Sequence, residues 1–358
     1  MITSFEVYRY SLPLKRPFKV DETMLSHRDG LIIRVLLSSG LSGVGEIAPL
    51  PGYSLEDLKK AVFQIKQAGQ ILTGATIPTQ WDEFGVFFEK EEFSLQCSSV
   101  RFGLESAFLH LLSVLQKQSP AEVLGCRSLR EIPLAGLLQG TPEEIKNQVS
   151  DLLARGCRTF KLKVGSKNIP LDVKKLHLVR DIVGPEGNIR LDANQSWSLL
   201  EAVAFARSAH REGIEFIEEP VKNSADLAAF INETGFPVAL DESLQGMKPD
   251  DFKFIPGVEF LVIKPTVLNG IGESLRWMKK AADENKGSVV SSCFESAAGG
   301  RMLANLAQKS SLAAGLGTYD WLSEDLLRSF CHKQSYSIDS QYLNFQWEDL
   351  DHRQLTRI

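Results

Sequence analysis

TFKLKVG (159–165), IRLDAN (189–194), EFIEEP (215–220), VALDES (238–243) and FLVIKP (260–265) are five short apolar runs, and each ends in charge. The endings are Lys161 and Lys163, Asp192, Glu218, Asp241 and Lys264, with steps from Lys163 of 29, 26, 23 and 23 residues. One strand, one loop, one helix and one loop fill such a step, which is the period of a β/α barrel. A strand buried on both faces is an unfavourable place for unpaired charge. Five charged strand ends in succession therefore mark a site.

Outward from this stretch the alternation continues. Strands are expected at 132–138, 158–164, 188–193, 215–219, 237–241, 258–264, 287–292 and 312–316. Helices are expected between them at 142–155, 171–183, 198–212, 224–234, 248–254, 270–285 and 297–309. The fold class is α/β, a TIM-type (β/α) barrel over 126–319, with a weak or missing final helix. An open doubly wound sheet fits less well, because no Gly-rich phosphate turn follows the first strand.

The first 125 residues read differently, with strands first and helices after. Residues 1–10 alternate, with Phe5 and Val7 on one face and Tyr8 and Tyr10 on the other. Pro13, Arg16 and Pro17 then predict a polar loop over 14–30, long enough to be a lid and carrying His27 as a candidate contact. A strand at 31–39, the turn GLSGVGE and a third short run complete a meander. Helices follow at 54–68 (capped by Ser54), 79–90 and 98–117. This α+β capping domain, 1–125, is expected to be completed by the aromatic tail 320–358.

Composition narrows the function. The chain has 358 residues, 24% charged and 43% hydrophobic, with a net charge of −5. No dense basic run is present, which argues against nucleic acid as a partner. No apolar run approaches the roughly 20 residues of a membrane span. Five scattered cysteines without a CxxC pair fit reduced thiols, and the N-terminus has no secretory signal, so a cytoplasmic location is expected. Cys293 has no partner histidine and reads as a buried, inert thiol.

Barrel sites lie at the C-terminal ends of the strands, where Asp192, Glu218 and Asp241 would converge. Three carboxylates in a poorly hydrated pocket repel unless a cation joins them, and an oxygen-only set suits Mg²⁺. No histidine or cysteine occupies a matching strand end, which disfavours zinc. Asn194, two residues beyond Asp192, would face the same side and support the metal or substrate. Glu219 and Glu242, next to proposed ligands, should point away by alternation. Lys161 and Lys163 would sit side by side, each disfavouring the other's charge, so that one could serve as a base. Lys264 would approach from across the mouth. Such a site can bind a small carboxylate, remove the neighbouring carbon-bound proton and hold the enediolate.

These residues resemble the enolase superfamily, in its muconate lactonizing enzyme subgroup. There the second strand ends in K-x-K, the next three supply D, E and D, and the sixth ends in lysine. Within the subgroup, GVGEIAPLPGYS (43–54) and SSCFESAAGGRMLANLA (291–307) are most similar to the o-succinylbenzoate synthase family. The resemblance implies a modified, enolase-like barrel and a Mg²⁺-dependent syn dehydration in menaquinone biosynthesis, with Mn²⁺ as a substitute ion. It implies Lys163 as base and then acid, Lys264 as the enediolate's charge partner, and Ser291, Ser292 and the backbone near Gly315 and Gly317 as substrate contacts. Relatives with the same ligands and lysines racemise N-acylamino acids or epimerise dipeptides. Dipeptide epimerases carry Asp-x-Asp at the eighth strand, where this chain reads GLGTYDWL with Asp320 alone.

Overall fold

In the computed structural model, which describes residues 1–20, 23–88, 95–211, 213–327, 331–332 and 336–358, the chain opens as a long antiparallel hairpin. Strand β1 (Ile2–Val20) returns along β2 (Thr23–Leu37), and β3 (Ser42–Ile47) continues the meander. The loop expected at 14–30 is therefore a strand pair, its tip at 21–22 lying outside the described residues. Two features accommodate the prolines. The register slips between Pro13 and Phe18, and past Arg9 the outer edge of β1 is paired, among the described residues, only by a single bridge from Leu14 to Leu322. A missing N–H costs little at such an edge.

Alternation along β1 serves two cores, as its sequence requires. Val7, Ile33 and Val35 pack with Ile65, Leu104 and Phe108 of helices α1 (Leu58–Leu72) and α3 (Ser98–Gln116). Tyr10, Leu12 and Ile32 belong to the core shared with the barrel. Helix α1 starts later than expected because Asp57, not Ser54, caps it, accepting from the Lys60 N–H at 2.7 Å. Ser54 instead accepts from Leu50 N–H and closes the turn before the helix. The helix expected at 79–90 is a 3₁₀ turn (Trp81–Glu83) followed by α2 (Phe84–Phe88), with 89 and 90 outside the described residues. The strand Thr356–Arg357 pairs with β1.

After the short α4 (Pro120–Val123) and β4 (Ile132–Pro133), seven parallel strands follow in chain order. They are β5 (Ala135–Leu138), β6 (Thr159–Lys163), β7 (Asn188–Asp192), β8 (Ile214–Glu218), β9 (Val238–Leu240), β10 (Val258–Ile263) and β11 (Gly287–Val290). Helices α5 (Pro142–Ala154), α6 (Ile169–Val183), α7 (Leu199–Ala209), α8 (Leu227–Thr234), α9 (Gly270–Asp283) and α10 (Ala297–Ala307) lie between or after them. The eighth strand, expected at 312–316, survives as two bridges, Ala314 to Leu134 and Gly315 to Ser291, which join the ends of the sheet. This is a modified TIM-type barrel. The helix expected at 248–254 is absent; a 3₁₀ turn (Glu242–Leu244) and further turns replace it. Gly246 at φ +76°, Pro249 and Pro256 interrupt any helix there. After the eighth strand a 3₁₀ turn (Gly317–Trp321) stands in for a helix.

Buried carboxylates from the N-terminal unit dock it to the barrel through helix starts. Glu46 of β3 accepts from Ser296 N–H (2.8 Å), Ser296 Oγ (2.6 Å) and Gly299 N–H (2.6 Å) at the start of α10. Glu105 of α3 accepts from Gly272 N–H (2.9 Å) in the first turn of α9. Both satisfy orphan helix donors and sit where the helix dipole favours negative charge. A Cβ at Gly299 would come within 2.8 Å of the Glu46 carboxylate, so glycine there makes room for the cap.

Asp325 reaches the same helix start, accepting from Ala297 N–H at 2.8 Å. Burial pushes its carboxyl up to about 7. The folded state therefore holds a proton that the unfolded chain releases near pH 4, and stability falls as pH rises from about 4 to 7. Asp325→Asn, which keeps the acceptor, should remove this component, gaining on the native protein by a few kcal/mol between pH 4 and pH 8. Urea midpoints across that range read the difference; parallel curves for the two proteins would contradict it.

Candidate active site

Parallel pairing puts in-register residues on one side of a sheet, and period two carries that side along each strand. Lys163, Asp192 and Glu218 form one row across β6, β7 and β8, and Glu218 pairs with Ala239. Asp241 lies two residues beyond Ala239. Lys264 lies two beyond Val262, and Ser291 two beyond Val289, which pairs with Val262. All of these project into the barrel. Beneath them Phe216, Ala239, Val262 and Val289 form a buried apolar floor.

On one wall, Lys161 Nζ lies 2.8 Å from both Asp192 and Glu218. Lys163 Nζ lies 2.7 Å from Asp192 and donates to Asn194 Oδ1 at 2.5 Å. On the other wall, Lys264 Nζ is 2.5 Å from Asp241 and 2.9 Å from the Tyr53 hydroxyl, which itself donates to Asp241 at 2.9 Å. Asp192 and Glu218 are 1% exposed, Lys161 16%, Lys264 12% and Lys163 32%, so Lys163 is the lysine most open to solvent.

Burial alone would raise the Asp192 carboxyl, but the Lys161 and Lys163 ammonium groups outweigh it and hold it low. Glu218 is pushed well up by burial and by Asp192, against the pull of Lys161. Burial opposes charge on Lys161, yet Asp192 and Glu218 more than offset it, and its affinity for a proton rises. Of the lysine pair expected to disfavour each other's charge, Lys161 is thus held as the ammonium by two carboxylates at 2.8 Å and is not the one free to act as a base. Lys264 is raised in the same way, with Asp241 overcoming burial.

A cavity of about 620 Å³ opens above the row. Lys161, Lys163, Asp192, Asn194, Lys264, Ser291, Ser292 and Gly317 all line it. Glu218 and Asp241 stand behind, each in contact with a lysine that does. Glu219 points away as expected. It grips the backbone of the next strand end, accepting from Asp241 N–H and Ser243 N–H at 2.8 Å each. Glu242 departs from expectation and lines the cavity. Strand β9 ends at Leu240 and Asp241 bends into the 3₁₀ turn (φ −129°, ψ −81°), so alternation no longer applies. Its Oε1 accepts from Asn194 Nδ2 at 2.8 Å, and burial pushes its carboxyl up to about 7.

Tyr53, Glu242 and an aromatic group were not legible as site residues. Phe18, from the hairpin, stacks on Phe294 at 4.4 Å between centroids and meets Trp321 edge-on at 5.3 Å. All three line the cavity, Phe18 from a stretch read as loop and Trp321 from one read as tail. His27 is exposed and does not line it. Cys293 does line it, but burial pushes its thiol well up, in keeping with an inert role. Asp320 is held by Arg155 at 2.6 Å, away from the cavity lining.

The fit to a divalent cation rests on donor type and charge. Asp192, Glu218, Asp241 and Glu242 are four carboxylates against three ammonium groups. No three acidic, histidine or cysteine side chains stand at metal-holding spacing among the described residues; the lysine Nζ atoms lie against the carboxylates instead. The oxygen-only set and the resistance of Glu218 to ionising beside Asp192 and Asp241 are what a hard dication would relieve. The residues suit Mg²⁺.

Barrel, strand-end acids and opposed lysines are the marks of an enolase-like enzyme. Residues 144–340 match the family "Enolase C-terminal domain-like", and residues 2–111 match "MenC, N-terminal domain". The chain is 30% identical to o-succinylbenzoate synthase of Pasteurella multocida, over 96% of this chain and 98% of that protein. It is 31% identical to Protein PHYLLO, chloroplastic, of Arabidopsis thaliana over 90% of this chain, and spans 21% of that longer protein. Muconate lactonizing enzyme from Pseudomonas fluorescens, complexed with muconolactone, has a similar fold, with TM-score 0.86, 21% identity and coverage of 99% and 97%. So has dipeptide epimerase from Cytophaga hutchinsonii, complexed with Mg and a dipeptide, with TM-score 0.84, 22% identity and coverage of 100% and 99%. The chain belongs to the o-succinylbenzoate synthase family of the enolase superfamily. No helix among the described residues is long and apolar enough to cross a membrane.

Proposed function

We propose that this chain is a carbon–oxygen lyase that dehydrates 2-succinyl-6-hydroxy-2,4-cyclohexadiene-1-carboxylate to o-succinylbenzoate, a step of menaquinone biosynthesis in the cytoplasm. The observation that carries the reading is the placement of Lys163 and Lys264 on opposite walls of one cavity, each tied to a strand-end acid. Residues 126–319 form the catalytic barrel and 1–125 with 320–358 the capping unit.

Asp192, Glu218 and Asp241 would hold Mg²⁺, which when bound supplies positive charge beside the substrate carboxylate. Lys163, the lysine most open to solvent, takes the proton from C1, leaving an enediolate. Lys264 stays charged, supported by Asp241, and balances the negative charge on the opposite face. The C6–O bond then breaks as the Lys163 ammonium returns its proton to the departing hydroxyl. Water leaves and the ring becomes aromatic, with one group acting on one face as a syn elimination demands. Asn194 Oδ1 accepts from Lys163 and orients its Nζ. Ser291, Ser292 and the backbone at Gly317 offer polar contacts to the succinyl arm.

A dipeptide epimerase needs acidic groups at the eighth strand for the substrate's amino group, and Asp320 is committed to Arg155 instead. The test is turnover of the cyclohexadiene carboxylate with Mg²⁺, run beside N-succinylamino acids. Formation of o-succinylbenzoate supports the synthase; turnover of the amino acids alone would replace it with a racemase.

The aromatic contact of the hairpin adds an expectation. Phe18→Ala should raise KM about tenfold, equivalent to about 1.4 kcal/mol of lost binding, with kcat little changed. An unchanged KM would remove the hairpin from substrate binding.

A further inference from the structure

Arg28, on β2, is 1% exposed and ranks among the largest fully buried side chains. No carboxylate forms an ion pair with it among the described residues, which is an expensive state for a guanidinium unless its donors are otherwise met. They are met by backbone carbonyls. Nε donates to Phe294 O at 3.0 Å, Nη1 to Asp29 O at 3.0 Å and Pro49 O at 2.8 Å, and Nη2 to Cys293 O at 3.2 Å and to Ala48 O.

These carbonyls belong to three separate pieces of chain. One is the hairpin itself. The second is the turn that begins at Ala48 and leads into Tyr53, whose hydroxyl meets both Lys264 and Asp241. The third is the segment after β11, in which Ser291, Ser292, Cys293 and Phe294 all line the cavity. A planar fork with five N–H donors can hold such carbonyls in one geometry, whereas an ammonium or a neutral side chain cannot. Where only packing is needed, an apolar side chain fills the space without the cost of burying charge.

We propose that Arg28 is a positioning residue: by holding the Tyr53 turn against the Cys293–Phe294 segment, it sets the cavity wall that carries Lys264's hydroxyl partner. It touches neither substrate nor metal ligands and acts through those two segments. The proposal rests on the reaction assigned above for its kinetic readout, so one arm of the test is independent of that reaction.

Arg28→Lys and Arg28→Ala are compared with the native enzyme. The expected result is a fall in kcat of about tenfold or more for Arg28→Lys, with the Mg²⁺ requirement unchanged. Activity of Arg28→Ala should recover in part with millimolar guanidinium chloride but not with sodium chloride. Hydrogen exchange should quicken in 48–54 and 291–296 and stay unchanged in β7 and β8, whatever the substrate proves to be. Native kcat and KM in a folded Arg28→Lys would overturn the proposal. So would exchange that rises evenly across the molecule, or a lysine variant that does not fold, since either assigns Arg28 to stability alone. Native enzyme that fails to turn over the cyclohexadiene substrate, with local exchange as expected, would overturn the assigned reaction and leave the positioning role supported.

Discussion

Lys163→Ala should lower kcat for dehydration by about 10²- to 10⁴-fold, the range of a lost general acid–base group. Here one residue is asked both to take the C1 proton and to return it to the hydroxyl, so the upper end is expected. Product and Mg²⁺ should still bind, because Asp192 keeps Lys161 at 2.8 Å and the Lys264 wall is untouched. Lys264→Ala should also be severely impaired, through lost charge rather than lost proton transfer. Isotope exchange separates the two. With a non-eliminating carboxylate analogue in D₂O, exchange of the α-proton on the Lys163 face should vanish in Lys163→Ala. Native exchange on both faces in that variant would require another base.

The other large effect concerns the acids. Asp192→Asn, Glu218→Gln and Asp241→Asn should each cost several kcal/mol of transition-state stabilisation, or about 10³-fold in kcat/KM. Each removes one carboxylate from the proposed cation site, and Asp241→Asn also leaves the buried Lys264 ammonium without its carboxylate partner. Excess chelator should abolish turnover of the native enzyme, and Mg²⁺ should restore it. Full activity in chelator would dismiss the metal. The variants are told apart by position: Asp241→Asn should also loosen Tyr53, which donates to that carboxylate.

Much of the barrel was legible because strand and helix periods are local. A five-residue apolar run ending in charge reads the same whether or not its neighbours are known, and six charged side chains duly meet at one mouth. The errors arose where locality ends. Pro13 and Pro17 signal a loop, yet an edge strand with a slipped register tolerates both. Residues 248–254 look helical in isolation, but turns carry that crossing. Glu242 departs from alternation because it lies two residues past the end of β9, at the start of a 3₁₀ turn.

By itself the sequence determined the order of strands, the inward set Lys161, Lys163, Asp192, Glu218, Asp241 and Lys264, and the chemistry those groups permit. Period two and strand polarity are enough to place them. Only the tertiary structure decided what surrounds them. Tyr53 reaches Asp241 across 188 residues of chain, Arg28 reaches Phe294 across 266, and Phe18 stacks on the same phenylalanine from the hairpin. Contacts at such separations depend on how the cap docks on the barrel, through Glu46 and Glu105 at two helix starts. The sign of the Lys161 shift likewise followed from distance: carboxylates on the next two strands lie 2.8 Å away, close enough to outweigh the cost of burial.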